Sequence, residues 1–334
     1  IKGKGFMKIA LIVNRLVQAA TIEEHLVNAT RRERNNRIIL DTVHSLGHQI
    51  QLIEPSPYLR EKLEVFQPDL VFLQTFRVNP DASILEVLHE LEELNIPYTG
   101  SPPESCELAL NKFATKKKLI QENLPTPAYA VVENGELMHE KTRHLRYPLF
   151  IKPLFGGCSM GILPDNPVNT KGELERVLPE TISCAKQPVL VEEFIGGHEF
   201  TIGVLGNRPP TALPIIEFVY LTREKLPVQF RDFGSKTDAD THEGTACPAN
   251  LKAGEQALII NLALSAYRTL GCRDYARVDI RCDQIGNPYV LEVNVHPSLL
   301  PESSLAKMAA AANMEYPQLI NRIIQYALSR PEDI

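Results

Sequence analysis

The chain has 334 residues, with 35 Lys or Arg against 41 Asp or Glu, so its formal charge is −6, and 44% of its residues are hydrophobic. These proportions describe a globular chain long enough for two or three domains, and they exclude disorder and collagen-like repeats. A mildly acidic chain lacks the sequence-wide positive field that holds a polyanion, which makes nucleic acid a poor candidate for principal partner and none is expected, while small anions stay open where lysines are placed locally.

No stretch approaches the roughly 18 to 20 consecutive apolar residues that crossing a bilayer requires, so no membrane role and a cytoplasmic setting are expected. The first six residues, IKGKGF, precede Met7-Lys8-Ile9-Ala10 and are read as a remnant ahead of a natural start at Met7. Six cysteines (Cys106, Cys158, Cys184, Cys247, Cys272, Cys282) show no CxxC pair and no metal-ligand spacing, which predicts free thiols in a reducing compartment.

The N-terminal third alternates buried-strand runs, KIALIV (8–13), QIQLIE (49–54) and LVFLQTF (70–76), with helix-like stretches at about 31–46 and 81–94. Such alternation predicts parallel strands with crossover helices. Asn14-Arg15-Leu16 after the first strand has no glycine, which removes the backbone approach that a dinucleotide pyrophosphate needs. A Pro/Gly cluster at 97–103 marks a boundary. Next come a lysine-rich helix over 104–123, the turn Pro125-Thr126-Pro127, and a mixed region with strands at 147–153 and 188–194. The last part holds a helix at 253–270, two alternating strands and a helical stretch from 304 to 328.

Those two late strands carry the strongest constellation. Arg277-Val278-Asp279-Ile280 is followed by a turn and then by Tyr289-Val290-Leu291-Glu292-Val293-Asn294. Strand alternation puts Arg277 with Asp279 and Glu292 with Asn294 on one face, and Val278, Leu291 and Val293 on the other. Two carboxylates and an amide oxygen are hard ligands that suit Mg²⁺ beside a substrate's phosphates; a salt-bridged solvent face is the alternative. A second feature is Lys152 at a strand end before Phe155-Gly156-Gly157-Cys158-Ser159-Met160-Gly161. A lysine and glycine amides can close over an anion, although the segment is not a Walker A loop and reads equally as an ordinary turn. The third is Val189-Leu190-Val191-Glu192-Glu193-Phe194-Ile195, leading to Glu199. It offers backbone groups to an adenine edge and a carboxylate to ribose, or is simply an exposed strand end.

In order and approximate spacing, Lys112, Lys152, Glu192 to Ile195, Glu199, Lys236, Arg277, Asp279, Glu292 and Asn294 resemble the ATP-grasp superfamily, and within it the D-alanine–D-alanine ligase family, from about Tyr98 to Arg330. The resemblance implies an α/β ATP-grasp fold of three α/β subdomains. They are an N-terminal parallel-sheet, Rossmann-like (pre-ATP-grasp) domain at 7–103, a central subdomain at 104–190 and a C-terminal subdomain with the metal site at 191–330. ATP would lie between the last two. By the same resemblance, Lys112 and Lys152 touch ATP phosphates, Gly157 and Ser159 belong to the lid, and Glu192, Glu193, Phe194, Ile195 and Leu291 surround adenine. Glu199 binds ribose, Lys236 lies near the γ-phosphate, and Asp279, Glu292 and Asn294 hold two Mg²⁺ ions, with Mn²⁺ as substitute. Arg277 stabilises charge on an acyl phosphate, and Ser303 or Ser304 takes a substrate carboxylate.

The activity implied is an ATP-dependent ligase joining a carboxylate to an amine, with small amino acids or carboxylates as substrates and a homodimer by family analogy. The family's first-domain glycine loop and substrate glutamate are not matched by Asn14 to Glu24, although Glu23 or Glu24 stands nearby. Cys158 and Thr237 replace a serine and a tyrosine that clamp the lid, and Ser298 replaces a glycine. His296, beside Pro297, reads as a structural residue more readily than as a substrate contact. These departures fall on substrate-facing positions, so altered substrate specificity is expected, with true D-alanine dimerisation or a natural-product ligase or cyclase as alternatives. A non-catalytic nucleotide-binding regulator would not need Arg277, Asp279, Glu292 and Asn294 together.

Overall fold

The computed structural model describes residues 5–13, 22–74, 84–133, 138–156, 162–163, 165–220 and 243–330. The N-terminal part runs β1 (Lys8–Val13), α1 (Ile22–Ser45), β2 (Gln49–Ile53), α2 (Leu59–Phe66), β3 (Leu70–Gln74) and α3 (Ile84–Glu93). Strand β1 lies between β2 and β3, parallel to both. Its residues Ile9 to Val13 are almost wholly buried, as expected of a strand covered on both faces. Helix α1 begins at Ile22, earlier than the expected 31.

The lysine-rich segment forms two helices rather than one: α4 (Pro103–Leu110) and α5 (Lys112–Gln121). Asn111 leaves the helical region with φ −101° and ψ 99°, and its side chain accepts from the Ala114 amide. An asparagine cap satisfies an orphan helix donor, and here it makes Lys112 the first residue of α5. The central unit follows with β4 (Tyr129–Val132), α6 (Met138–Thr142), β5 (Leu149–Pro153), α7 (Lys171–Ala185) and β6 (Val189–Glu193). Its antiparallel sheet has the order β4-β6-β5. Val132, Ile151, Leu174, Val177 and Val191 help form a core that, among the described residues, contains none from the other two sheets.

The C-terminal part contains β7 (Glu199–Leu205), β8 (Thr211–Ala212), β9 (Ile216–Tyr220), β10 (Glu243–Ala246), α8 (Ala253–Thr269), β11 (Tyr275–Cys282), β12 (Pro288–Asn294), α9 (Ser304–Ala311) and α10 (Tyr316–Leu328). The sheet order is β10-β9-β7-β11-β12, with β8 pairing on β7. The helix expected over 304–328 is interrupted because Asn313 is left-handed (φ 57°). A capping box between Glu315 and Gln318, with Pro317 in the first turn, then restarts it. Side chains from the N-terminal and C-terminal sheets share two cores, one joining Val71 and Leu73 to Val278 and Ile280, the other Ile9 and Phe72 to Tyr275 and Leu205. Among the described residues, no helix is long and apolar enough to cross a membrane.

Candidate active site

Strand β11 sets the geometry. Paired on one side with β7 in unbroken register, it keeps strict alternation, and Arg277, Asp279 and Arg281 all line one cleft. On its other side β12 brings Asn294 opposite Arg277 and Glu292 opposite Asp279. The register then shifts, so that Ile280 pairs with Val290 and Leu291 is the extra residue. Plain alternation would send Leu291 away from the cleft. The bulge corrects that reading, since it turns Leu291 to line the cleft beside Glu292 while Val290 and Val293 stay buried in the core. The turn at 125–127 pins the bulge: the Val290 amide donates to the Pro125 carbonyl at 2.8 Å, and the Thr126 hydroxyl donates to the Val290 carbonyl at 2.8 Å.

At one end of the cleft the polar groups form a connected cluster. The Arg277 guanidinium makes a two-pronged ion pair with Asp279 at 2.9 and 2.8 Å. The Thr201 hydroxyl donates to Asp279 Oδ1 at 2.5 Å, and the Asn294 amide donates to Asp279 Oδ2 and Glu292 Oε1, each at 3.1 Å. Glu292 also lies 4.0 Å from Arg277. Two carboxylates bridged by the Asn294 amide group bring hard oxygen donors together, a set that fits a magnesium-type ion.

The other end is built from β6 and the loop after it. Phe194 stacks on Phe150 with centroids 6.1 Å apart, and the Arg281 guanidinium lies 4.6 Å from the Phe194 centroid. Arg281 donates to the Ile195 carbonyl at 2.7 Å and pairs with Glu199 at 2.8 Å. The Glu193 carboxylate turns outward to Arg146, 2.9 Å away, so of this residue it is the backbone that the cleft receives. The whole cleft encloses about 720 Å³ including its mouth and lies between β5–β6 of the central unit and the C-terminal sheet, with Phe218 and Ile162 on its walls.

Between the two ends sits a buried charge cluster. Glu192 receives Lys152 on one oxygen at 2.5 Å and Lys116 on the other at 2.8 Å. Burial alone would push the Glu192 carboxyl up, but the two ammonium groups hold it below its ordinary value, Lys116 more strongly than Lys152. Burial pushes Lys116 down to about 8, against the pull of Glu192. Lys116 also donates to the Thr126 hydroxyl at 2.8 Å, which ties the cluster to the turn that pins the bulge.

Lys152, Glu192, Glu193, Phe194, Ile195, Glu199, Arg277, Asp279, Leu291 and Glu292 are therefore brought to one cleft, with Asn294 bonded to its carboxylates. Lys112 stands at the root of the glycine loop, its ammonium 2.6 Å from the Gly156 carbonyl. Ser303 and Ser304 lie away from the cleft lining, at the start of α9, where the Ser303 hydroxyl accepts from the Ala306 amide at 3.3 Å. Gly157, Cys158, Ser159, Lys236 and Thr237, the segment 14–21, and the side chains of Glu23 and Glu24 lie outside the described residues. His296 packs edge-on to Tyr275, and its Nε2 is 3.3 Å from the Cys106 sulfur; burial pushes it down to about 4.

The sequence reading missed Lys116 and Arg281. Spacing marks their positions, since Lys116 is one helical turn from Lys112 and Arg281 continues the alternation of Arg277 and Asp279, but it does not give the partners on which each is held.

The profile for the D-ala D-ala ligase C-terminus matches residues 119–325. The D-alanine–D-alanine ligase of Pelotomaculum thermopropionicum is 35% identical over 279 residues, covering 80% of this chain and 83% of that one. The chain belongs to the D-alanine–D-alanine ligase family. Family membership makes it an ATP-grasp protein and an ATP-dependent ligase that forms carbon–nitrogen bonds. The uncharacterized protein y4sG of Sinorhizobium fredii is 30% identical over 300 residues, with 87% of each chain covered. The crystal structure of the D-alanine–D-alanine ligase from Bacillus anthracis complexed with ATP matches with a TM-score of 0.72 at 25% identity, covering 96% of this chain and 97% of that one.

Proposed function

We propose that the protein activates a small carboxylate with ATP and joins it to an amine, its substrates being amino acids or close analogues other than two D-alanines. The observation that carries this reading is the convergence of Arg277, Asp279, Glu292 and Asn294 at one end of a cleft whose other end is formed by Phe194, Ile195 and Glu199. A nucleotide laid along that cleft has its base against Phe194 and Ile195, its ribose near Glu199 and its phosphates toward Lys152 and Arg277. Asp279, Glu292 and Asn294 would hold Mg²⁺, which supplies charge neutralisation for the phosphates when bound.

A carboxylate is too poor an electrophile for an amine. Its oxygen attacks the γ-phosphorus of ATP, giving an acyl phosphate and ADP; the amine nitrogen then attacks the acyl carbon, phosphate leaves, and the nitrogen loses a proton. Negative charge grows on oxygen in both steps, and Arg277, held in place by Asp279 and therefore preorganised, answers it without moving. Ser303 and Ser304 would take a substrate carboxylate only beyond the cleft lining, Ser303 through its hydroxyl proton while its oxygen caps α9. Five free thiols among the described cysteines and the need for ATP favour a reducing, cytoplasmic setting.

The names of the relatives favour D-alanine–D-alanine specificity as a second reading. The replacements at Cys158, Thr237 and Ser298, and the loss of glycines in 14–24, favour altered substrates. Incubation with magnesium and ATP plus single or pooled D- and L-amino acids separates the two. ADP and phosphate, without AMP, should appear only with a subset of acceptors, and mass spectrometry should find the amide. Strong turnover on D-alanine alone would establish the second reading, and hydrolysis indifferent to every acceptor would sink both. Asp279→Asn and Glu292→Gln are each expected to cut turnover by about 100-fold or more with the melting temperature kept.

A further inference from the structure

Arg281 stands two residues beyond Asp279 on the cleft face of β11 and takes no part in the carboxylate cluster. Its side chain is 6% exposed. Its guanidinium donates from Nε to the Ile195 carbonyl at 2.7 Å, from one terminal nitrogen to the Gly197 carbonyl at 2.8 Å, and from the other to Glu199 Oε2 at 2.8 Å. The planar group also covers the Phe194 ring. Five N–H groups in one rigid plane can hold two carbonyls and a carboxylate at fixed mutual angles, which a lysine cannot do.

What is held is a loop that would otherwise be soft. Residues 194–198 contain Gly196 and Gly197, and a Cβ at Gly197 would lie 2.3 Å from the Cys282 carbonyl oxygen, so backbone meets backbone there at the end of β11. Glu199 opens β7 directly opposite Arg281 in the strand register. A single residue of β11 thus fixes both the loop that faces a base and the carboxylate that faces a ribose.

We propose that Arg281 is a positioning residue that sets sugar selectivity. By holding Glu199 Oε2 it fixes the rotation of that carboxylate before the nucleotide arrives, so that a ribonucleotide is favoured over its deoxy forms. This rests on the reading of the cleft as a nucleotide site with Glu199 at the ribose. It concerns the sugar end, whereas Arg277 serves the phosphate end of the same strand.

The test is direct calorimetric binding of ATP, 2′-deoxy-ATP and 3′-deoxy-ATP, each with magnesium, to the unmodified protein and to Arg281→Met, Arg281→Lys and Glu199→Gln. The unmodified protein should bind ATP about tenfold or more tightly than at least one deoxy form, the worth of one hydrogen bond to a charged acceptor. Arg281→Met should bring that ratio to within about twofold or threefold, as Glu199→Gln does, and Arg281→Lys should recover part of it. If Arg281→Met does not fold, the lysine and glutamine variants carry the same comparison. An unchanged ratio in the Arg281 variants, even with weaker binding of every nucleotide, overturns the proposal and leaves Arg281 a structural residue. Equal binding of ATP and both deoxy forms by the unmodified protein also overturns it, without touching the ligase reading. Failure of the unmodified protein to bind any of the three overturns that reading and this one together.

Discussion

Lys116 lies outside the obvious motif, yet its buried ammonium is held against Glu192 of the cleft. The cluster of Lys116, Lys152 and Glu192 carries one net positive charge while both lysines are protonated, and it lies in the interior where charge is weakly screened. Lys116 has a folded pKa of about 8 against an ordinary 10.5, so between those values the unfolded chain binds the extra proton. For this group stability therefore rises as pH climbs through that window. Binding of an anionic nucleotide runs the other way, because the neutral amine removes a positive charge from the cleft. Magnesium–ATP affinity is expected to fall as pH is raised from about 7 to about 9, with an inflection near 8 that Lys116→Met abolishes. Titration calorimetry of both proteins checks it, and parallel curves would remove Lys116 from the site. Such a role was not readable from residue type, because a lysine on a helix is ordinarily solvated and only the packing around it reveals its burial.

The elements divide the molecule unevenly. The central unit has a core of its own, whereas the two outer sheets share theirs. Leu174 is buried in α7 against β5 and β6. Its replacement by Ala should cost about 2–5 kcal/mol, since it leaves a cavity in a core that cannot draw on neighbouring layers. Hydrogen exchange should accelerate over 129–193 and stay unchanged in β1 and β11; equal acceleration in all three would mean that the cores behave as one. The strand runs at 8–13 and 188–194 were legible because a buried strand is rich in consecutive apolar residues, and the half-exposed run at 49–54 because its apolar residues alternate with polar ones. The breaks at Asn111 and at 312–315 were not, because caps and left-handed residues interrupt a helix without interrupting its apolar pattern.

Across the whole molecule, Arg330 beyond α10 closes the chain on itself. It donates to the carbonyls of Tyr98 at 2.6 Å and Gly100 at 2.9 Å and pairs with Asp274, which is fully buried and also accepts from the Gly100 amide at 2.8 Å. One guanidinium thereby joins the connection after the N-terminal domain to the entrance of β11. Arg330→Met leaves the Asp274 charge buried without its partner and is expected to cost about 3–5 kcal/mol in denaturant unfolding; a loss below about 1 kcal/mol would mean that the tie is no more than a surface pair.

Local pattern by itself determined the strand alternation of Arg277, Asp279, Glu292 and Asn294, the parallel N-terminal sheet and the resemblance to the D-alanine–D-alanine ligase family, because periodicity and motif spacing are properties of the chain. The tertiary structure decided the rest. It turned Leu291 into the cleft through a bulge, buried Lys116 on Glu192, and set Arg281 on Glu199. Each of these depends on what a distant strand or turn presents at that point, and no spacing along the chain encodes it.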